Sequence, residues 1–290
     1  MGGKVLTGRA AVLLIQLLLA ALGLYITVAV GLALVQTSLL FPTGLAARGE
    51  VFLPASARRI SVRAADGTML QGVHVPASAL PEAGLLLGFG GNAWNAAMLA
   101  SLLNEVLPGY EVVVFHYRGY PPSAGRPSAA SLVHDALAVH DGLTEFAPAM
   151  RVIAVGLSIG CGPAMHLARH RRLSGVILVT PFDSLAALAR HHYWWAPVRL
   201  LLRHRMEISA DASEVDEPVA IIAAERDGVV PVERTESLRN KIKKLVFYRV
   251  IADADHNDLY NRPEFAIALR EAAGLIKAAG DQGTSSRSSP

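Results

Sequence analysis

Ser158 stands between Gly156 and Gly160 in the run VIAVGLSIGCGPAM (152–165), where an apolar stretch suited to a strand gives way to small residues suited to a helix. A serine hydroxyl becomes a useful nucleophile when a neighbouring base removes its proton. The G-x-S-x-G spacing supplies the turn such a serine needs. Its glycines permit a sharp bend and let strand and helix approach closely, with the hydroxyl left exposed between them. In a chain with 25 glycines the five-residue pattern is weak alone. Its setting, RVIAV before and CGPAMHLARH after, gives it weight. Pro163 falls in or near the first helical turn, where proline is tolerated. The helix start also offers free N–H groups and positive dipole character to an oxyanion.

A serine needs a base, and the base needs an acid to orient it. A nucleophile on this kind of turn predicts the chain order serine, acid, histidine. Asp227 closes the apolar run PVAIIAAERD and is followed by GVVP; His256 follows LVFYRVIADAD. Both fall at the C-terminal ends of expected strands, the edge at which open α/β sheets bind ligands. Oxyanion donors are expected from the backbone N–H of Ile159 and from Asn92 in LLLGFGGNAWNAA, where Gly90 and Gly91 let the chain turn. That glycine-rich strand end can also be read as a phosphate cradle, although neither G-x-G-x-x-G nor Walker spacing is present.

Other residues compete for these roles. Asp183, in TPFDSL, also follows an expected strand and is a rival to Asp227. His166 and His170, four apart on one helix, can be read as half a metal site or as a plain exposed face. His191 and His192 read as surface or cap residues, and Cys161 as a small buried packing residue. Asp253, Asp255 and Asp258 flank His256 and read as a solvated acidic loop rather than as modulators of its basicity.

These residues require a scaffold of buried strands alternating with helices. Strands are expected at 83–90, 111–118, 151–158, 175–181, 218–227 and 245–254, and their unbroken apolar character fits burial on both faces. Helices are expected at 93–107, 128–146, 159–172, 232–242 and 262–279. RRISVRAADGTMLQGVHVPA alternates around Asp66-Gly67, the pattern of a hairpin. The class is therefore α/β, with a mainly parallel sheet and helices on both faces. A segment at about 184–216, interrupted by Pro197, stands outside the alternation and is expected to cap the site.

The composition is 52% hydrophobic against 18% charged, and the excess lies at the N-terminus. No charged residue occurs between Arg9 and Arg48. Residues 11–35 form an almost continuous apolar run that rises about 37 Å as a helix, enough to cross a hydrocarbon core of about 30 Å. A run of this length exceeds a typical signal-peptide core and predicts an uncleaved anchor. Lys4 and Arg9 precede it, whereas Arg48, Arg58 and Arg59 follow, so charge gives no decisive orientation. The last two lie near the limit of the positive-inside rule, which tilts the reading to a domain outside the cytoplasm. The expected organisation is an anchor at 1–41, a linker at 42–59, a globular domain at 60–279 and a disordered tail at 280–290. The net charge of +3 and the lack of a basic block argue against nucleic acid, and a single cysteine excludes an internal disulfide framework.

With these residues in hand the chain resembles the α/β-hydrolases, and within them the single-pass, membrane-anchored branch described as serine aminopeptidase-like or acyl-hydrolase-like. The segments that carry the likeness are GFGGNAWN, VFHYRGYPPSAGRPS, GLSIG, TPFDSLAALARHHYWWAPVRLLLRHR, ERDGVVP and DADHND, in that order across residues 60–278. The resemblance implies Ser158 as nucleophile, Asp227 as acid and His256 as base, with backbone oxyanion donors at Asn92 and Ile159 and supporting glycines at 90, 91, 156 and 160. It casts Arg118 and Gly119 of H-Y-R-G-Y as architectural. Two positions depart from the branch. Its H-G-N-A-G-N reads Gly90-Gly91-Asn92-Ala93-Trp94-Asn95 here, and the acidic residue of its LLRxR stretch is His204.

The expected activity is that of a membrane-tethered serine hydrolase cleaving carboxylic esters or thioesters through an acyl-enzyme, without metal or organic cofactor. The expected partners are a small-molecule or lipid-like acyl substrate and the bilayer, with no obligate protein partner. Trp194 and Trp195 can line an acyl pocket or simply pack the cap. Arg199, Arg203 and Arg205 can meet anionic headgroups or solvate a helix face. The alternatives are an aminopeptidase, which needs an acidic pocket for the substrate amine, and a hydrolase-fold membrane protein without turnover.

Overall fold

The computed structural model describes residues 8–46, 51–79, 83–146 and 151–285. An apolar helix α1 (Gly8–Leu40) and a single turn α2 (Thr43–Ala46) lead into the domain. The hairpin follows as β1 (Arg58–Arg63) and β2 (Met69–Val75), antiparallel and in register from Arg58 opposite His74 to Arg63 opposite Met69. Gly67 takes φ 86° in its turn, which glycine adopts without steric cost. Then come β3 (Leu85–Phe89), α3 (Ala96–Val106), β4 (Glu111–Phe115), α4 (Ala129–Phe146), β5 (Val152–Leu157), α5 (Cys161–His170) and β6 (Gly175–Val179). The cap segment forms three short helices, α6 (Leu185–His192), α7 (Val198–Leu201) and α8 (Ile208–Ala212). The chain closes with β7 (Val219–Ala224), α9 (Val232–Arg239), β8 (Leu245–Ile251) and α10 (Pro263–Ser285).

The eight strands form one sheet in the order β1-β2-β4-β3-β5-β6-β7-β8. The hairpin joins it antiparallel through β2 and β4, and the pairings from β4 across to β8 are parallel. Successive side chains on a strand point to opposite faces, so each central strand feeds two cores. Ala154, Leu178 and Ile221 join α4, α5 and α8 on one face. Val155, Ile177 and Ile222 join α3 and α10 on the other. This is the doubly covered parallel sheet that the unbroken apolar runs predict.

Two boundaries differ from expectation. Phe41 and Ala46 are buried in the same core as α4 and α5, so the end of α1 and the start of the expected linker pack on the domain. At the other end α10 continues to Ser285, because GDQG lacks a proline stop and the helix simply extends into the expected tail. Residues 286–290 of that tail lie outside the described residues. Over α1 the apolar side chains face outward, and the helix is long and apolar enough to cross a membrane.

Candidate active site

Ser158 immediately follows β5 and opens a tight 3-10 turn, Ser158–Gly160, that leads into α5. Its φ is 52°, a left-handed conformation that costs a non-glycine residue roughly 1–2 kcal/mol. The glycines on either side are required by contact. A Cβ at Gly156 would lie 2.6 Å from the Gly160 carbonyl oxygen, and one at Gly160 would lie 2.1 Å from the carbonyl oxygen of Phe89. Strand, turn and helix therefore close to backbone contact, and the serine is presented at the C-terminal edge of the sheet.

Asp227 and His256 come from the loops after β7 and β8, on that same edge. His256 Nδ1 lies 2.7 Å from Asp227 Oδ2, and its Nε2 lies 3.1 Å from Ser158 Oγ. With Nδ1–H donating to the carboxylate, Nε2 is left as the acceptor facing the serine hydroxyl. The second oxygen of Asp227 accepts the backbone N–H groups of Val229 (2.9 Å) and Val230 (2.6 Å), which fixes the plane of the carboxylate. Both side chains are shielded, Asp227 at 3% exposure and His256 at 9%. This arrangement can take a proton from Ser158 and return it to a leaving group.

The rivals are engaged elsewhere. Asp183 accepts from Arg234 Nη1 at 3.0 Å and from the N–H of Ser184. His166 is half-buried, packs beside His170 and pairs through Nδ1 with Asp211 at 3.2 Å. Among the described residues no group of three or more His, Cys, Asp or Glu is placed to hold a metal ion. His192 bonds through Nε2 to the Val229 carbonyl at 2.8 Å. Cys161 is fully buried, and burial pushes its thiol well above the usual range. Around His256, Asp253 pairs with Arg226 and Asp258 with Arg262, while Asp255 accepts from the N–H of Asn257.

Opposite the serine lies the loop after β3. The Phe89 and Gly90 carbonyl oxygens abut Gly160, so this loop and the turn carrying Ile159 are in direct contact. Asn92 follows two residues later. Two tyrosines hold the loop: Tyr117 donates its hydroxyl to the Gly90 carbonyl at 2.7 Å, and Tyr120 donates to the Asn92 carbonyl at 2.6 Å. Burial raises both phenols well above the ordinary tyrosine value and keeps them as neutral donors. Sequence reasoning assigned them no role, though both lie in the HYRGY motif. Asn95 Oδ1 accepts from Ala97 N–H at the start of α3, and its Nδ2 donates to the Ala46 carbonyl at 3.2 Å.

Both departures from the family pattern find partners. Trp94 stacks edge-on against Tyr260 with centroids 4.8 Å apart, so the loop before α3 packs on the segment just after His256. His204 reaches α1, with Nε2 2.7 Å from Thr37 Oγ1 and its ring against Phe41. Arg118 spans the hairpin turn and α4, pairing with Asp66 and forking onto Asp135 at 2.7 and 3.0 Å. Gly119, at φ 76°, turns the chain beside it.

No family model matches the sequence. Over 211 residues it is 36% identical to the uncharacterised protein Rv2307c of Mycobacterium tuberculosis, covering 71% of this chain and 74% of that one. It is 28% identical over 197 residues to the lysophosphatidylserine lipase ABHD12 of Rattus norvegicus, covering 57% of this chain and 49% of the relative. Among solved structures, the esterase Pf2001 of Pyrococcus furiosus superposes with a TM-score of 0.64 at 18% identity, over 80% of this chain and 98% of that one. At that identity the likeness concerns the fold.

Proposed function

The chain belongs to the α/β-hydrolase family, and from that premise we propose that it is a membrane-tethered serine hydrolase acting on carboxylic esters or thioesters. One observation supports the reading above the others: two hydrogen bonds run in line from Ser158 through His256 to Asp227, each residue at the C-terminal edge of a parallel strand. The esterase and lipase among its relatives favour an ester-type bond.

In the proposed reaction Ser158 Oγ attacks the acyl carbonyl while His256 Nε2 takes its proton. The carbonyl oxygen becomes an oxyanion facing the backbone N–H groups of Asn92 and Ile159. Collapse of this intermediate breaks the bond to the alcohol or thiol, which leaves with the proton from His256. Water then gives a proton to His256, attacks the acyl-enzyme and releases the acid as Ser158 regains its hydrogen. Asp227 keeps Nδ1 protonated and stabilises the imidazolium of each step. The α1 helix is the proposed tether.

Steady-state hydrolysis of a short-chain nitrophenyl ester by the wild type and Ser158→Ala tests this. The variant is expected to lose about 10⁶-fold in kcat. A folded variant with undiminished turnover would move the chemistry to another residue.

A further inference from the structure

The cap grips the far half of α1 at two levels. Tyr25 donates its hydroxyl to the Trp195 carbonyl at 3.1 Å, with the two rings edge-on. Farther along, Gln36 Nε2 donates to the Leu201 carbonyl at 3.1 Å and its Oε1 accepts the Arg203 N–H at 2.8 Å. Arg203 reaches back to the Ala33 carbonyl at 2.6 Å. Around these latches the surfaces do not close. They leave an open, apolar groove of about 120 Å³, bordered by Ala29, Leu32 and Ala33 of α1 and by Ala189, Val198 and Leu201 of the cap. The small alanines on both sides account for the gap, and an apolar space of this kind takes an apolar ligand in preference to water.

The two sides of the groove have different surroundings. Residues 11–31 of α1, counted from the start of the apolar run, rise about 31 Å, which matches the hydrocarbon core, so the α1 side of the groove, from Ala29 on, lies where the helix leaves it. Its first α1 residues, Ala29, Leu32 and Ala33, belong to the same almost continuous apolar run. The cap side is suited to that level. Trp194 and Leu200 are 82% and 84% exposed, and Arg190, Arg199 and Arg205 stand exposed near them, a mixture found at bilayer interfaces. On the cap side the groove touches α6 at Ala189 and, just beyond its end, Tyr193. On the same turn His192 bonds to the carbonyl of Val229, whose N–H is held by Asp227. The groove therefore lies between the span and the helix that braces the Asp227 loop.

We propose that this groove takes the acyl chain of a lipid substrate drawn from the bilayer and holds it beside the helix that braces the Asp227 loop. The proposal rests on the hydrolase reading given above. Its test uses the full chain in vesicles of phosphatidylglycerol and phosphatidylcholine containing an ether-linked phospholipid with a diazirine at the end of its acyl chain. After irradiation, adducts are expected on both 29–40 and 189–202. Adducts confined to 12–28, the general lipid-facing surface, would overturn the proposal. Ala33→Trp should abolish the adducts on 189–202 and slow cleavage of a long-chain ester in the same vesicles by about tenfold, through lost burial of the chain. Ala189→Phe fills the groove from the cap side and should repeat both effects; long-chain cleavage unchanged in both variants would also overturn it. Fluorophosphonate labelling of wild-type Ser158 separates the two claims. Groove adducts with an unreactive serine would sink the hydrolase reading, whereas a reactive serine with no groove adducts would sink only the groove's role as acyl-chain site.

Discussion

On one side of Ser158, Asp227 and His256 stand on loops after adjacent strands, tied to each other and to backbone N–H groups only two and three residues away. On the other side, the loop at 90–95 is held by groups from distant parts of the chain: Tyr117 and Tyr120 beyond β4, Ala46 beyond α1, and Tyr260 beyond His256. In the proposed reaction the first wall carries the proton-transfer groups and makes few demands on the rest of the molecule. The second would supply backbone donors, whose position depends on everything that packs against them. Damage to the first wall should therefore appear in rate alone, and damage to the second in rate and stability together.

The largest effect expected at either wall is from Asp227→Asn, which preserves shape but favours the wrong imidazole tautomer. It should reduce kcat by about 10⁴-fold while leaving the thermal midpoint nearly unchanged, as read by ester kinetics beside calorimetry. A large fall in Tm would mean that the first wall is also structural. Gly160→Ala sits at the seam between the walls. Its methyl group would press on the Phe89 carbonyl, and denaturant titration should show a loss of about 3 kcal/mol. Tyr117→Phe removes one clamp from the Gly90 carbonyl. A loss of about five- to tenfold in kcat, with KM little changed and Tm slightly lowered, is expected; an effect on KM alone would show that the loop binds substrate and does not hold the oxyanion.

The smallest effect concerns the cap. Burial, with the neighbouring Arg203, lowers the pKa of His204 below its ordinary 6.5. The unfolded chain then binds this proton more readily than the folded one. The stability tied to neutral His204 is present above the unfolded value and is lost as pH falls through the folded value. Tm should therefore drop on acidification below about pH 6.5, and His204→Gln should make that drop shallower. An identical pH profile in the variant would remove His204 from the contact with α1.

The same contrast explains how much could be read from the sequence. Ser158, Asp227 and His256 announce themselves because each is tied to a local pattern: glycines around a strand end, or a polar residue closing an apolar run. The alternation of strands and helices is equally local, and so is the Asp66-Gly67 turn. The second wall depends on contacts between residues far apart in the chain. Nothing near Tyr117 says that its hydroxyl meets Gly90, and nothing near Asn95 points to Ala46, 49 residues away. Trp94 departs from the branch's pattern, and only the fold shows Tyr260 against it. The expected boundary at 41/42 follows the change in hydropathy, but Phe41 and Ala46 are buried by the domain itself.

The central claim is that Ser158 is an activated nucleophile. Labelling of the full chain with a fluorophosphonate probe, followed by peptide mapping, tests it most directly. The account predicts a single adduct on Ser158 that disappears in Ser158→Ala. An adduct on another residue, or none on the folded wild-type protein, would contradict it.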